Sequence, residues 1–169
     1  ACGLYRLIWP ADALRRIRPD WEITVYDPRA VKVETTRGGP VVHGLPVDEI
    51  DLLVTQRVGS PVVADLCAHV RARGVAVALD MDDAMWALDP ANIAYDSWNL
   101  RTRGRPGLHW SVIDRVAEFA DLVTVTTGAL ADRYGAHGRV EVLPNRIPRM
   151  ALGARGEGPV RRLPVAGWA

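Results

Sequence analysis

Lysine is almost missing from this chain: of 21 basic residues only Lys32 is a lysine, the rest being arginine. Those cations are nearly matched by 20 acids, for a formal net charge of +1, so there is no electrostatic case for a nucleic-acid partner. Cysteine is scarce too. Cys2 and Cys67 stand alone without metal-ligand spacing, which gives neither a zinc site nor a disulfide framework. Cys67 falls in an apolar helical pattern and reads as a small core residue. No apolar run approaches the ~18 residues needed to span a bilayer, and no basic-then-apolar signal segment is recognisable. The expected compartment is a reducing cytoplasm, free or peripheral at a membrane.

What is present is ordinary globular material: 169 residues, 49% hydrophobic and 24% charged, enough for one well-buried domain and the beginning of a second. The organising stretch runs from Val75 to Trp86. A continuous apolar run there ends in Asp80, Asp82 and Asp83. Apolar residues without alternation mark a strand covered on both faces, as in parallel sheets. Acids at its end would sit at the carboxyl edge, where open α/β folds keep their ligands.

The flanking chain supports an α/β reading. Residues 1–6 read as a loop, and Pro10 opens a helix that Pro19 closes. Trp21–Tyr26 reads as a short strand by its β-branched and aromatic content. Residues 27–50 read as irregular, with a short strand at Val41–His43. Asp51–Val58 reads as a strand, and Ser60-Pro61 as the cap and first turn of a helix that Gly74 stops. Val75–Asp80 follows at once, making a βαβ unit. Residues 84–108 read as a long, aromatic-bearing loop of the kind that often serves as a lid. A second unit follows: helix Ser111–Ala120, strand Leu122–Thr126, helix Gly128–Tyr134 capped by Thr127, and strand Val140–Leu143. The alternation predicts a doubly wound, mostly parallel, Rossmann-like sheet over residues 1–148. Residues 149–162 read as a Gly- and Arg-rich linker and Leu163–Ala169 as the first strand of a further domain. The expected domain is thus truncated at both ends.

Several segments, in order, resemble the N-terminal domain of GT-B glycosyltransferases, in the large retaining group often called group 1 or family 4. Ala120-Asp121-Leu122-Val123 to Thr127 is similar to the family's Ala-Asp strand, and Val140 to Pro148 to its passage toward the donor domain. Cys2 to Arg6 resembles the family's first Gly-containing loop, Val54-Thr55-Gln56-Arg57 a strand end, and Leu79 to Trp86 an acidic turn followed by tryptophan. Val165 to Ala169 looks like the first strand of the C-terminal Rossmann domain. Two features depart from the pattern: no strand precedes Cys2, and Arg146 stands where glycine is common.

The resemblance implies transfer of a glycosyl group from a nucleotide-sugar to a sugar, lipid or small-molecule acceptor. This chain would be the acceptor-side half, inactive alone, with its own C-terminal domain as partner. It implies no cofactor and no essential divalent metal. Asp82 and Asp83 become the candidate catalytic residues, and Gly3, Tyr5, Arg6, Arg57, Trp86, Thr127 and Asn145 the candidate substrate-binding ones. The plainer readings stay open beside these. Thr127 is explained by capping, Asn145 by a turn, Trp86 by packing, and any single arginine by solvation. Carboxylates so placed could instead hold a hard cation against a diphosphate. The Asp80-Met81-Asp82 run also invites a phosphatase reading of the haloacid-dehalogenase type with Asp80 as nucleophile, although no lysine follows Asp83. A non-catalytic α/β binding module is the other alternative.

Overall fold

The computed structural model describes residues 3–27, 30–37, 39–100 and 108–146. The chain opens with a π-helical turn, Leu4–Ile8, that runs into α1 (Trp9–Ile17). An antiparallel hairpin follows, β1 (Lys32–Thr36) and β2 (Gly39–His43). Then come β3 (Leu52–Gln56), α2 (Pro61–Ala72) and β4 (Ala76–Met81). A 3-10 turn at Met85–Ala87 and the short α3 (Tyr95–Asn99) precede α4 (His109–Phe119). The last elements are β5 (Leu122–Val125), α5 (Gly128–Tyr134), a 3-10 turn at Gly135–His137 and β6 (Val140–Val142).

Strands β3, β4, β5 and β6 form one all-parallel sheet in that order. Each strand joins the next through a helix, and all three steps move the same way across the sheet. Right-handed crossovers of that kind put their helices on one face. In agreement, α2 and α4 pack against each other. Alternate strand residues meet those helices: Val77, Leu79, Met81, Val123 and Val125 are fully buried with Cys67, Val70, Ile113 and Val116. The strand-period alternation thus sends β4 residues 77, 79 and 81 to the helices and residues 78 and 80 to the opposite face. Burial also pushes the Cys67 thiol up to about 12, well out of the range of a reactive cysteine.

The punctuation that defines the elements behaves as its chemistry dictates. Gly74 ends α2 with φ of 90°, a conformation only glycine adopts without strain. Thr127 caps α5, its hydroxyl accepting from the Leu130 amide at 3.3 Å. Ser60 holds the N-cap position of α2 without a side-chain capping bond. Asp121, at the amino end of β5, accepts from the Val77 amide at 2.9 Å and from Arg71 at 3.1 and 3.2 Å, tying β5 to β4. The amide bond, with help from Arg71 and Arg139, holds the Asp121 carboxyl below the usual range. A depressed carboxylate contributes stability that is present above its unfolded pKa and lost as pH falls through the folded one. Asp121→Asn is therefore expected to cost about 1 kcal/mol at neutral pH, given its partial exposure. In thermal unfolding the gap from the natural chain should close below the ordinary carboxylate pKa.

Four expectations are corrected. Trp21–Tyr26 is not a strand: residues 22–27 carry no ladder, and Trp21, Val25 and Tyr26 are exposed, so β-propensity had no neighbouring strand to act on. The first six residues are not all loop, since Leu4–Ile8 is helical. The stretch read as irregular contains β1 as well as β2, a hairpin against α2. The long connection after the acids carries two short helical pieces; residues 101–107 of it lie outside the described set. Cys2, the linker and the closing strand also lie outside the described residues.

Candidate functional site

Parallel register builds the base of the site. Gln56, Asp80 and Thr124 are direct register partners across β3, β4 and β5, so their side chains stand in one row on the face away from α2 and α4. Asp80 is only 3% exposed. Its Oδ2 accepts from Gln56 Nε2 at 3.1 Å and its Oδ1 from the Thr124 hydroxyl at 2.6 Å. The π-helical turn then brings Arg6 over the row. Arg6 Nε donates to Asp80 Oδ2 at 3.0 Å and Nη2 donates to Oδ1, a bidentate pair. Arg6 Nη1 reaches the Leu143 carbonyl at 2.6 Å and Asn145 Oδ1 at 3.5 Å. The Asp80 carboxylate, with charge from Asp82, raises the Arg6 guanidinium pKa against the opposing effect of burial. One arginine thus ties the N-terminal turn, the middle of the sheet and the segment after β6 together.

A second layer lies just beyond the strand ends. Arg57 follows β3 with φ of 50°, the one non-glycine residue at positive φ among the described residues. That conformation costs roughly 1–2 kcal/mol for a residue with a Cβ. The Arg57 amide donates to the Asp80 carbonyl at 3.2 Å, which fixes the turn. Its guanidinium donates from Nε to Asp82 Oδ1 and from Nη2 to Asp83 Oδ2. Tyr5 adds its hydroxyl to Asp82 Oδ2 at 3.3 Å, and the Thr126 hydroxyl donates to the Asp82 carbonyl at 3.1 Å. The two acids differ sharply: the Asp82 side chain is 2% exposed and that of Asp83 55%. Asp82 is a fixed anchor, and Asp83 is open to solvent beside a half-buried arginine.

Gly3, Tyr5, Arg6, Arg57, Asp82, Asp83 and Asn145 are therefore gathered at the carboxyl edge. Gly3 lies against Gln56, where an added Cβ would sit an ordinary 3.8 Å from Oε1, so space does not demand glycine there. Two candidates are otherwise engaged. Thr127 caps α5. Trp86 meets Tyr134 edge-on at 5.9 Å, and the Arg133 guanidinium covers its ring at 4.6 Å, so one indole face is already taken. Trp98 and Trp110 pack at the margin of the core, and the Trp98 ring lies so close to Gly59 that a Cβ there would meet it at 2.7 Å. His109 turns Nδ1 to the Ser97 carbonyl at 2.9 Å. An open depression of about 440 Å³ lies at the other end of the strands, lined by Asp48, Asp51, Arg73 and Gly74 among others, away from this cluster.

The geometry limits the chemistry of Asp80. A carboxylate offers about four lone-pair sites, and Arg6, Gln56 and Thr124 fill them. Attack by Asp80 on a phosphoryl group would require breaking this set, so the phosphatase reading loses its nucleophile. Among the described residues no group of three His, Cys, Asp or Glu is placed to hold a metal ion. The role of Gln56 and Thr124 was not evident from the sequence. Their signal is positional, a polar residue near the end of each of two apolar strands flanking the one that carries Asp80.

No family model, curated protein or solved structure matches this chain. No helix among the described residues is long and apolar enough to cross a membrane.

Proposed function

We propose that this chain is the acceptor-side domain of a GT-B-type glycosyltransferase, of the retaining group 1 or family 4 kind, with a Rossmann-like α/β core. The observation that carries the reading is the convergence of Tyr5, Arg57, Asp82 and the exposed Asp83 at the carboxyl edge of a parallel sheet. There the Asp83 carboxylate accepts a hydrogen bond from an acceptor hydroxyl and orients it, while Arg57 and Tyr5 hold the acidic turn in place. The nucleotide-sugar is held chiefly by a second domain, which also stabilises the charge on the departing diphosphate, usually the largest catalytic contribution. No cofactor and no essential metal enter this scheme. Arg6 and Asn145 lie beside this cluster, and the protein works in the cytoplasm, free or at a membrane surface.

The chain alone is expected to bind soluble mono- or disaccharides without turning over any nucleotide-sugar. Arg57→Ala and Asp83→Asn should each weaken that binding about tenfold, the loss of one charge-assisted contact. Calorimetric titration across a saccharide panel checks this, and turnover by the chain alone, or binding indifferent to both substitutions, would contradict it. A second reading, a non-catalytic binding module, is favoured by one feature: each of the three carboxylates is already held by an arginine, which leaves no free base.

A further inference from the structure

The connection that follows β4 meets the turn between β3 and α2 twice. It leaves through Asp82 and Asp83, which accept from the Arg57 guanidinium, and it returns through Trp98 of α3, whose ring lies on Gly59. A Cβ added at Gly59 would stand 2.7 Å from Trp98 Cζ3 and 3.2 Å from Cη2, inside the contact distance of two carbons. Gly59 is not among the described glycines at positive φ, so glycine is needed there for the ring and not for the backbone. Trp98 is itself held. Its ring packs at the margin of the core, and the His109 amide and ring meet the Leu100 and Ser97 carbonyls at 3.1 and 2.9 Å. Those contacts fix α3, which at five residues is too short to persist by itself.

We infer that Trp98 is a positioning residue for Arg57 and acts on it through Gly59. Arg57 keeps a left-handed conformation at φ of 50°, and such strain persists only where the surroundings over-determine it. On the near side the β3 ladder and the bond from the Arg57 amide to the Asp80 carbonyl do this. On the far side comes Val58, 3% exposed, and then Gly59. Glycine has the widest choice of φ and ψ, so Gly59 is the easiest place for the turn to relax. The indole seated on it removes that freedom. Asp82 and Asp83 then find the Arg57 guanidinium in one place, and the acidic turn is set by the far end of its own connection as well as by the sheet. The bearing of Trp98 on saccharide binding rests on the glycosyltransferase reading, whereas its hold on Arg57 does not.

NMR on the full chain reads that hold directly, because a residue at positive φ has a short amide-to-Hα distance and strong cross-relaxation between the two. Trp98→Phe shortens the ring at the end that reaches Gly59, and Gly59→Ala pushes the ring off. In each, the Arg57 cross-relaxation should fall and its amide exchange should rise at least about tenfold relative to the β5 amides. The double variant should bring both back toward the natural chain, since the alanine methyl takes the space that the shorter ring gives up. Where Gly59→Ala alone fails to fold, Trp98→Phe and the double variant decide. An Arg57 unmoved by Trp98→Phe while only α3 loosens, or a double variant no closer to the natural chain than Trp98→Phe, would overturn the inference. A lost Arg57 signature in a protein that binds no saccharide would uphold it and contradict the glycosyltransferase reading instead.

Discussion

Asp80→Ala is expected to lower the unfolding free energy by roughly 3–5 kcal/mol, the range for breaking a buried ion pair from one side. The reason is what it leaves behind. The Arg6 side chain is 7% exposed and would keep a full charge with no carboxylate beneath it. Gln56 and Thr124 would each lose an acceptor at the centre of the sheet. The damage should also have a direction. Arg6 bonds to Asp80, Leu143 and Asn145, so losing the carboxylate removes its anchor on the sheet and loosens the N-terminal turn there. Urea unfolding would give the global loss, and hydrogen exchange should show the greatest acceleration along Leu4–Ile17. A loss under about 1 kcal/mol, or acceleration spread evenly over the molecule, would show that the cluster does not join these segments.

Leu79→Ala should cost a similar 2–5 kcal/mol for a different reason. Leu79 is fully buried, one residue before Asp80 and on the opposite face of β4, within the core that α2 and α4 cover. Truncation removes the transfer free energy of the deleted atoms and opens a cavity beneath the strand that carries the acids. No polar group loses a partner, so the N-terminal turn should stay docked and its exchange should accelerate only in step with global unfolding. The two neighbouring substitutions thus separate the two faces of one strand. Equal global losses with different exchange patterns are the expected result from denaturant titration and exchange mapping.

That separation follows from a feature legible in the sequence and one that is not. The apolar run into Asp80 marked a strand buried on both sides, and β4 is that strand, offset by a residue. Helix signals at Pro61, Gly74 and Thr127 were equally readable, because each rests on the local chemistry of a φ angle or an orphan amide. Trp21–Tyr26 misled for the opposite reason. Strand propensity describes fitness for a ladder, and whether a ladder exists is decided by distant chain. The hairpin partner β1, Lys-Val-Glu-Thr-Thr, was missed because its alternation is short and half polar.

The site shows the same division. Asp82, Asp83 and Arg57 could be placed at one sheet edge from strand ends alone, and the structure brings them into contact. Their inequality could not be read. It comes from Tyr5 and Thr126, the one far off in sequence and the other just past β5, closing over Asp82 while Asp83 faces water. Nor could the sequence show that Arg6 saturates Asp80, which turns the most conspicuous acid of the motif into the structural floor of the site. Side-chain pairs across 74 residues of chain have no local signature.

The most direct test of the central claim, that the outer half of this cluster binds ligand while the inner half holds the fold, is amide and side-chain shift mapping by NMR during titration with a binding saccharide. Perturbations concentrated at Tyr5, Arg57, Asp82 and Asp83, with Gln56 and Thr124 nearly unmoved, are the expected result. Perturbations centred elsewhere, or absent from Arg57 and Asp83 at saturation, would contradict it.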